Sequence, residues 1–123
     1  MQTNTPQPHE ESTMALTTFS GPVRSLNGFI TGDGSTLTKL LSGSASLNFG
    51  SIAAASQANL TITVTGAAVG DEVALALPAA PAAGIIFNAF VSAANTVTIR
   101  ASNITLTAVD PDAATYGVIV IAA

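Results

Sequence analysis

The chain has 123 residues, with 3 Lys+Arg, 7 Asp+Glu, 1 His and no Cys, so its formal net charge is −4. That length suits one domain with a single core, and the 8% of charged residues lies far below the roughly 25% of an average soluble protein. Three basic residues cannot neutralise a row of phosphates, so no nucleic-acid partner is expected; zero Cys removes disulfides, zinc thiolates, iron–sulfur clusters and thiol nucleophiles.

Hydrophobic residues make up 48% of the chain, which is opposite to the signature of disorder. An apolar-rich, charge-poor chain of this kind suggests that a partner covers some of its surface. The uncharged stretch from Val73 to Phe87 is too short for the roughly 20 residues of a membrane span and is broken by Pro78, Pro81 and Gly84. No membrane association is expected. Met1 to Leu16 has two Glu, no Lys or Arg and no apolar run, so it does not read as a secretory signal.

Residues 1–15 read as a flexible N-terminal arm: polar, without periodicity, with Pro6 and Pro8. Leu16 and Phe19, just beyond it, are the strongest anchors by which such an arm can dock on a neighbouring subunit. From residue 16 to 123 the pattern is β, rich in Thr, Val and Ile. Asp33-Gly34 between Phe29-Ile30-Thr31 and Thr36-Leu37-Thr38 marks a hairpin. Ser35 to Ser42 is ambiguous, because Leu37, Leu40 and Leu41 have helical spacing; the adjacent turn favours a strand. Ala45 to Phe49 follows as a further strand.

Leu60 to Thr65 alternates most clearly, with Leu60, Ile62 and Val64 on one face and threonines on the other. Gly66 ends it, and 69–72 is a turn before Val73, Leu75 and Leu77 resume the alternation. Pro78 to Gly84 is a loop. Ile85 to Val91 and Thr96 to Arg100 form a second hairpin around 92–95. Ile104 to Thr107 is expected as another strand, and Asp110-Pro111-Asp112 as the turn before the last one, Tyr116 to Ile121. That last run is apolar throughout, which predicts a central strand covered on both faces. Phe19, Phe29, Phe49, Phe87, Phe90 and Tyr116 supply the bulk for a core. Eight or so short strands punctuated by Gly, Pro and Asn predict an all-β fold, a jelly-roll-like β-sandwich with an extended N-terminal arm.

Little material for catalysis is present. His9, the only His, lies in the polar arm without an orienting partner, so no Ser/His/Asp arrangement forms and no enzymatic activity is expected. Asp71, Glu72, Asp110 and Asp112 fit turn chemistry better than a calcium loop, so no metal and no cofactor is expected. Lys39 reads as a solvent-facing cation. Asn59 and Asn103 head Asn-X-Thr sequons of the kind Thr-rich strands produce by chance. Arg24 and Arg100 are the only arginines; each can hold a carboxylate across a subunit interface, or stand as an ordinary surface or edge-strand Arg.

Several stretches resemble structural proteins of tailed bacteriophages. They are Asn48-Phe49-Gly50-Ser51-Ile52-Ala53, Leu60 to Asp71, Ala89 to Arg100, and Asp110-Pro111 before the closing strand. Together they are similar to a small β-sandwich module of phage virions. Ser20-Gly21-Pro22-Val23-Arg24-Ser25-Leu26-Asn27-Gly28-Phe29 resembles the amino-terminal part of capsid decoration, or cement, proteins. The resemblance spans roughly residues 19–122, and similar modules also cap tail fibres. It implies a protein made in the host cytoplasm and placed on the capsid exterior, commonly a homotrimer. Its partner would be the major capsid protein, whose expanded lattice it clamps. A host-recognition or appendage module of a tail fibre or spike is the alternative. The interface candidates on this reading are Leu16, Phe19, Val23, Arg24 and Arg100.

Overall fold

The computed structural model describes residues 16–32 and 34–122. These fold into eight strands and, among the described residues, no helix. A short hairpin pairs β1 (Phe29–Ile30) with β2 (Thr36–Leu37). The other six are β3 (Lys39–Leu47), β4 (Gln57–Thr63), β5 (Glu72–Ala76), β6 (Ile85–Ala93), β7 (Thr96–Asn103) and β8 (Ala114–Ala122). They form two antiparallel three-stranded sheets, ordered β3-β8-β5 and β4-β7-β6.

The pairing registers give this order a simple origin. β8 pairs with both β3 and β5, and β7 pairs with both β4 and β6. The chain therefore makes three long ribbons, β3–β4, β7–β8 and β5–β6, laid side by side and folded once across the middle. All three crossovers (48–56, 104–113 and 77–84) lie at the crease. They stay linked there: Ile52 bridges Val109, and the Ile104 N–H donates to the Gly84 carbonyl at 3.1 Å. Folding a strip of antiparallel strands in this way is jelly-roll logic, here with three strands per sheet.

The sandwich fills itself from alternating positions. Ile62 and Val64 from the β4 run, Val97 and Ile99 from β7, and Val118 and Val120 from β8 are buried in one cluster with Leu47, Val91 and Tyr116. Each such side chain contributes about 1.5–3 kcal/mol on leaving water. Gly43 faces this interior. A Cβ there would stand 2.8 Å from Val64 Cγ2 and 3.2 Å from the Thr63 carbonyl, so the two sheets close up only because the side chain is absent. Of the six expected core aromatics, only Phe49, Phe87 and Tyr116 are inside, stacked mutually with ring centroids 5.6–5.9 Å apart. Phe19, Phe29 and Phe90 are exposed.

The ambiguous stretch at 35–42 is extended: it holds β2 and the start of β3. The β1–β2 hairpin is present, with the Gly34 N–H donating to the Thr31 carbonyl at 2.8 Å; Asp33 lies outside the described residues, as do 1–15 with His9. The β6–β7 turn is tighter than expected, two residues with Asn95 at φ 62°, because a bulge between Val91 and Ala93 lets β6 run to Ala93. Leu77 falls outside β5 and is exposed.

Further expectations fail. Ala45 to Phe49 is not a separate strand: its first three residues end β3, which stops at Leu47. Ile104 to Thr107 is not a strand. β7 ends at Asn103, and the buried Asn103 side chain bends the chain into a loop whose Ile104 and Leu106 face solvent. The last strand is central, between β3 and β5, but only its inner face is covered. Tyr116, Val118 and Val120 are buried, whereas Ile119 is 44% exposed on the outer face.

Candidate interaction surfaces

The sandwich begins at Lys39, and the described residues before it run outside both sheets. Leu16 is 95% exposed, Leu26 77%, Ile30 67% and Phe19 65%, with Val23 and Phe29 also uncovered. Apart from the β1–β2 pair and the Thr31–Gly34 turn, no backbone hydrogen bond among the described residues ties down 16–35. Six large apolar side chains within 15 residues thus meet water on a chain with little of its own to hold it. Arg24, with Val23 and Leu26, lines a groove of about 470 Å³ against Leu37 to Leu41 where this segment enters β3. Of the interface candidates in this segment, Val23 and Arg24 line that groove, and Leu16 and Phe19 do not.

Arg100 is elsewhere. It sits on β7, a central strand rather than an edge, on the outer face of the β4-β7-β6 sheet. Its cross-strand neighbours are Asn59 and Asn88. The guanidinium carbon lies 5.0 Å from the Phe90 ring centroid, and Nε donates to Asn59 Oδ1 at 3.1 Å. The stack and the hydrogen bond preset this arginine's orientation. The face around it is uncharged: Gln57, Thr61, Thr63, Thr98, Ser92 and Ser102 surround the pair. The outer face of the other sheet has small residues in the row Ser44–Gly117–Ala76, and the exposed apolar side chains Ile119 and Leu40 in the rows Ser42–Ile119–Ala74 and Leu40–Ile121–Glu72.

Lys39 is not a lone cation. Its Nζ donates to Asp71 Oδ2 at 2.9 Å, and the same oxygen accepts the Ala68 N–H at 3.0 Å. The Lys39 hydrogen bond, then that of Ala68, holds the Asp71 carboxyl below its ordinary range. The pair pins the β4–β5 turn to the start of β3. Asn95 locks the same end: its Oδ1 accepts the Gly66 N–H at 2.8 Å, and its backbone exchanges bonds with Val64 and Ala67.

The crease end is the most heavily bonded part of the molecule. Asn103 is 2% exposed, and its Nδ2 donates to the carbonyls of Ile52, Ala53 and Thr107. Its Oδ1 accepts from the backbone N–H and the hydroxyl of Thr105. One amide thereby joins two of the three crossovers and spends its whole hydrogen-bonding capacity, so the sequon it heads is structural. The loop it anchors presents Leu106, 95% exposed. Beside it, between the β5–β6 and β7–β8 crossovers, lies a cleft of about 280 Å³ with Tyr116 in its wall.

Among the described residues there is no cluster of three or more His, Cys, Asp or Glu side chains that holds a metal, and no helix is long and apolar enough to cross a membrane. Sequence reasoning missed Asn103 as an organising residue and Phe90 as the partner of Arg100, whereas Tyr116 lies in the core as expected. Asn103 had a signal: an Asn at the end of an apolar strand, before a run of alternating Thr. The fold and these surfaces define a small all-β module with an uncovered apolar N-terminal segment. No family model, no curated protein and no solved structure matches the chain.

Proposed function

We propose that the protein is a structural component of a tailed-phage virion, binding the outer surface of the mature capsid and stabilising the expanded shell by clamping neighbouring capsomers. The observation that carries this reading is the segment from Leu16 to Ile30, six large apolar side chains held outside the sandwich. A free monomer rarely leaves so many large apolar side chains of one segment uncovered. The sequence stretch that resembles decoration proteins, Ser20 to Phe29, lies in this segment. The partner on this reading is the major capsid protein, and the particle-bound form is a homotrimer. The work is done by linkage: a ligand that binds only the expanded lattice stabilises it by mass action, without catalysis or a cofactor.

The outer face around Arg100 supports a second reading, a host-recognition or appendage module. A preset Arg–Phe stack among Asn, Gln, Ser and Thr side chains suits recognition of polar surface groups. Co-sedimentation with undecorated heads separates the two. Saturable binding to expanded but not unexpanded heads, with light scattering giving a trimer, supports the capsid role. Absence of binding to either head form, with binding to host cells, supports the second.

A further inference from the structure

We propose that the crease-end cleft is a binding site for a single basic side chain, arginine or lysine, presented by a partner polypeptide. The proposal rests on what the cleft wall offers and what it lacks. Pro78, Pro81 and Pro111 line it, and none has an N–H to donate. Asp110 and Asp112 add carboxylate acceptors, and no basic residue is in the lining. The only side-chain donor in the wall is the Tyr116 hydroxyl. A neutral polar ligand such as a sugar needs donors and acceptors in comparable number. A wall with two carboxylates, no basic side chain and one hydroxyl as its only side-chain donor favours a cationic head group, an ammonium or guanidinium.

Tyr116 supplies the second, independent observation. The residue is 1% exposed, and its hydroxyl makes no hydrogen bond among the described residues. Buried hydroxyls are normally paired, so this one waits for a partner. Burial raises its pKa, so the hydroxyl stays neutral and its oxygen lone pairs are open to a donor. The Phe49 and Phe87 rings fix its position, 5.7 and 5.6 Å away.

The size and the remaining wall fit the same occupant. A volume of about 280 Å³ is just below that of sites for drug-sized ligands, roughly 300–1,000 Å³, and suits one side chain. Ala80, Ala82 and Ala114, with the proline rings, give the aliphatic stem an apolar wall, and the carboxylates take the head. The crossovers that form the cleft are tied by the Ile104–Gly84 hydrogen bond. The site is therefore preformed, which limits the ordering cost of binding.

The test is an amide-resolved NMR titration of the full chain with N-acetyl-arginine amide and N-acetyl-lysine amide, against N-acetyl-glutamine amide at equal ionic strength. The expected result is saturable shifts at Ala80, Ala82, Ala114 and Tyr116 for the two cations, with Kd on the order of 1–10 mM. Asp110→Asn with Asp112→Asn should weaken this at least about tenfold, as expected for loss of charge-assisted bonds. Tyr116→Phe, which keeps the ring, should weaken it severalfold. Equal binding of the neutral glutamine analogue overturns the proposal. So does the absence of saturable shifts up to about 100 mM, or unchanged affinity in the Tyr116→Phe and double Asp variants.

Discussion

At the crease end, Ile104 and Leu106 stand out from a loop that a buried amide holds to two crossovers. At the opposite end, Leu16 to Ile30 put six large apolar side chains into solvent from a segment whose backbone is tied only by the β1–β2 pair and the Thr31–Gly34 turn. Exposure is similar, but its physical meaning differs. The crease end is ordered before any partner arrives, so a partner there meets a fixed shape. The N-terminal segment has few backbone bonds to hold it, so on the proposed reading it orders on binding. It gains apolar burial at about 25 cal/mol per Å² and loses backbone freedom of about 1–2 kcal/mol per residue. A surface of the second kind suits a clamp that adapts to neighbouring capsomers; one of the first kind suits selection by shape.

This contrast is broken most forcefully at Asn103. Asn103→Ala removes all three donations to backbone carbonyls, though Ile52 keeps the Val109 N–H and Thr107 the Thr105 hydroxyl; it also strips the Thr105 N–H of its acceptor and opens a cavity, which should cost about 3 kcal/mol. For a domain of this size that lowers Tm by roughly 10–20 °C, read by thermal circular dichroism. A loss of under about 1 kcal/mol would mean that the crease end is not held through this amide. Gly84→Ala comes next. Gly84 has φ +81°, and a Cβ there would meet Thr105 Cγ2. The cost should be about 1–3 kcal/mol in denaturant unfolding, through backbone strain and displacement of the same loop.

The opposite end responds to pH instead. The folded-state pKa of Asp71 is depressed, so its pairing with Lys39 adds stability above the carboxyl's unfolded value, and that part is lost as pH falls through the folded value. Tm should therefore fall more steeply with acid below about pH 4 in the native chain than in Asp71→Asn. Identical acid limbs would show that the ion pair does not couple to folding. Arg100→Ala has a smaller effect, under about 1 kcal/mol on folding, because an exposed stack and one neutral acceptor are all it removes. It should leave the strand content intact and lower oligomer or particle affinity, measured by circular dichroism and sedimentation. Truncation of residues 1–30 should change the folding stability of the sandwich least of all, since none of the core among the described residues lies there.

What was legible in the sequence follows the range of the interactions involved. Leu60, Ile62 and Val64 declare their face by alternation, and burial of one face is all that β4 requires. The apolar run of 116–121 correctly indicates a central strand, but central position covers edges, not faces, so Ile119 stays exposed. Ile104 to Thr107 has strand-like alternation and still forms a loop, because Asn103 spends its side chain on carbonyls up to 51 residues away. The Lys39–Asp71 pair spans 32 residues and is invisible to local pattern for the same reason. Leu16, Phe19 and Val23 are legible as apolar, yet whether they are core or surface depends on which elements reach them. The cleft at Tyr116 arises only when two crossovers meet at the crease, which no segment of sequence contains.

The most direct measurement is amide hydrogen exchange on the protein free and bound to expanded heads. Residues 16–35 should exchange fast in the free protein and gain protection on the particle, while the core strands β7 and β8 are protected in both states. Protection of 16–35 already present in the free protein, or none gained on binding, would contradict a clamp that orders on the capsid.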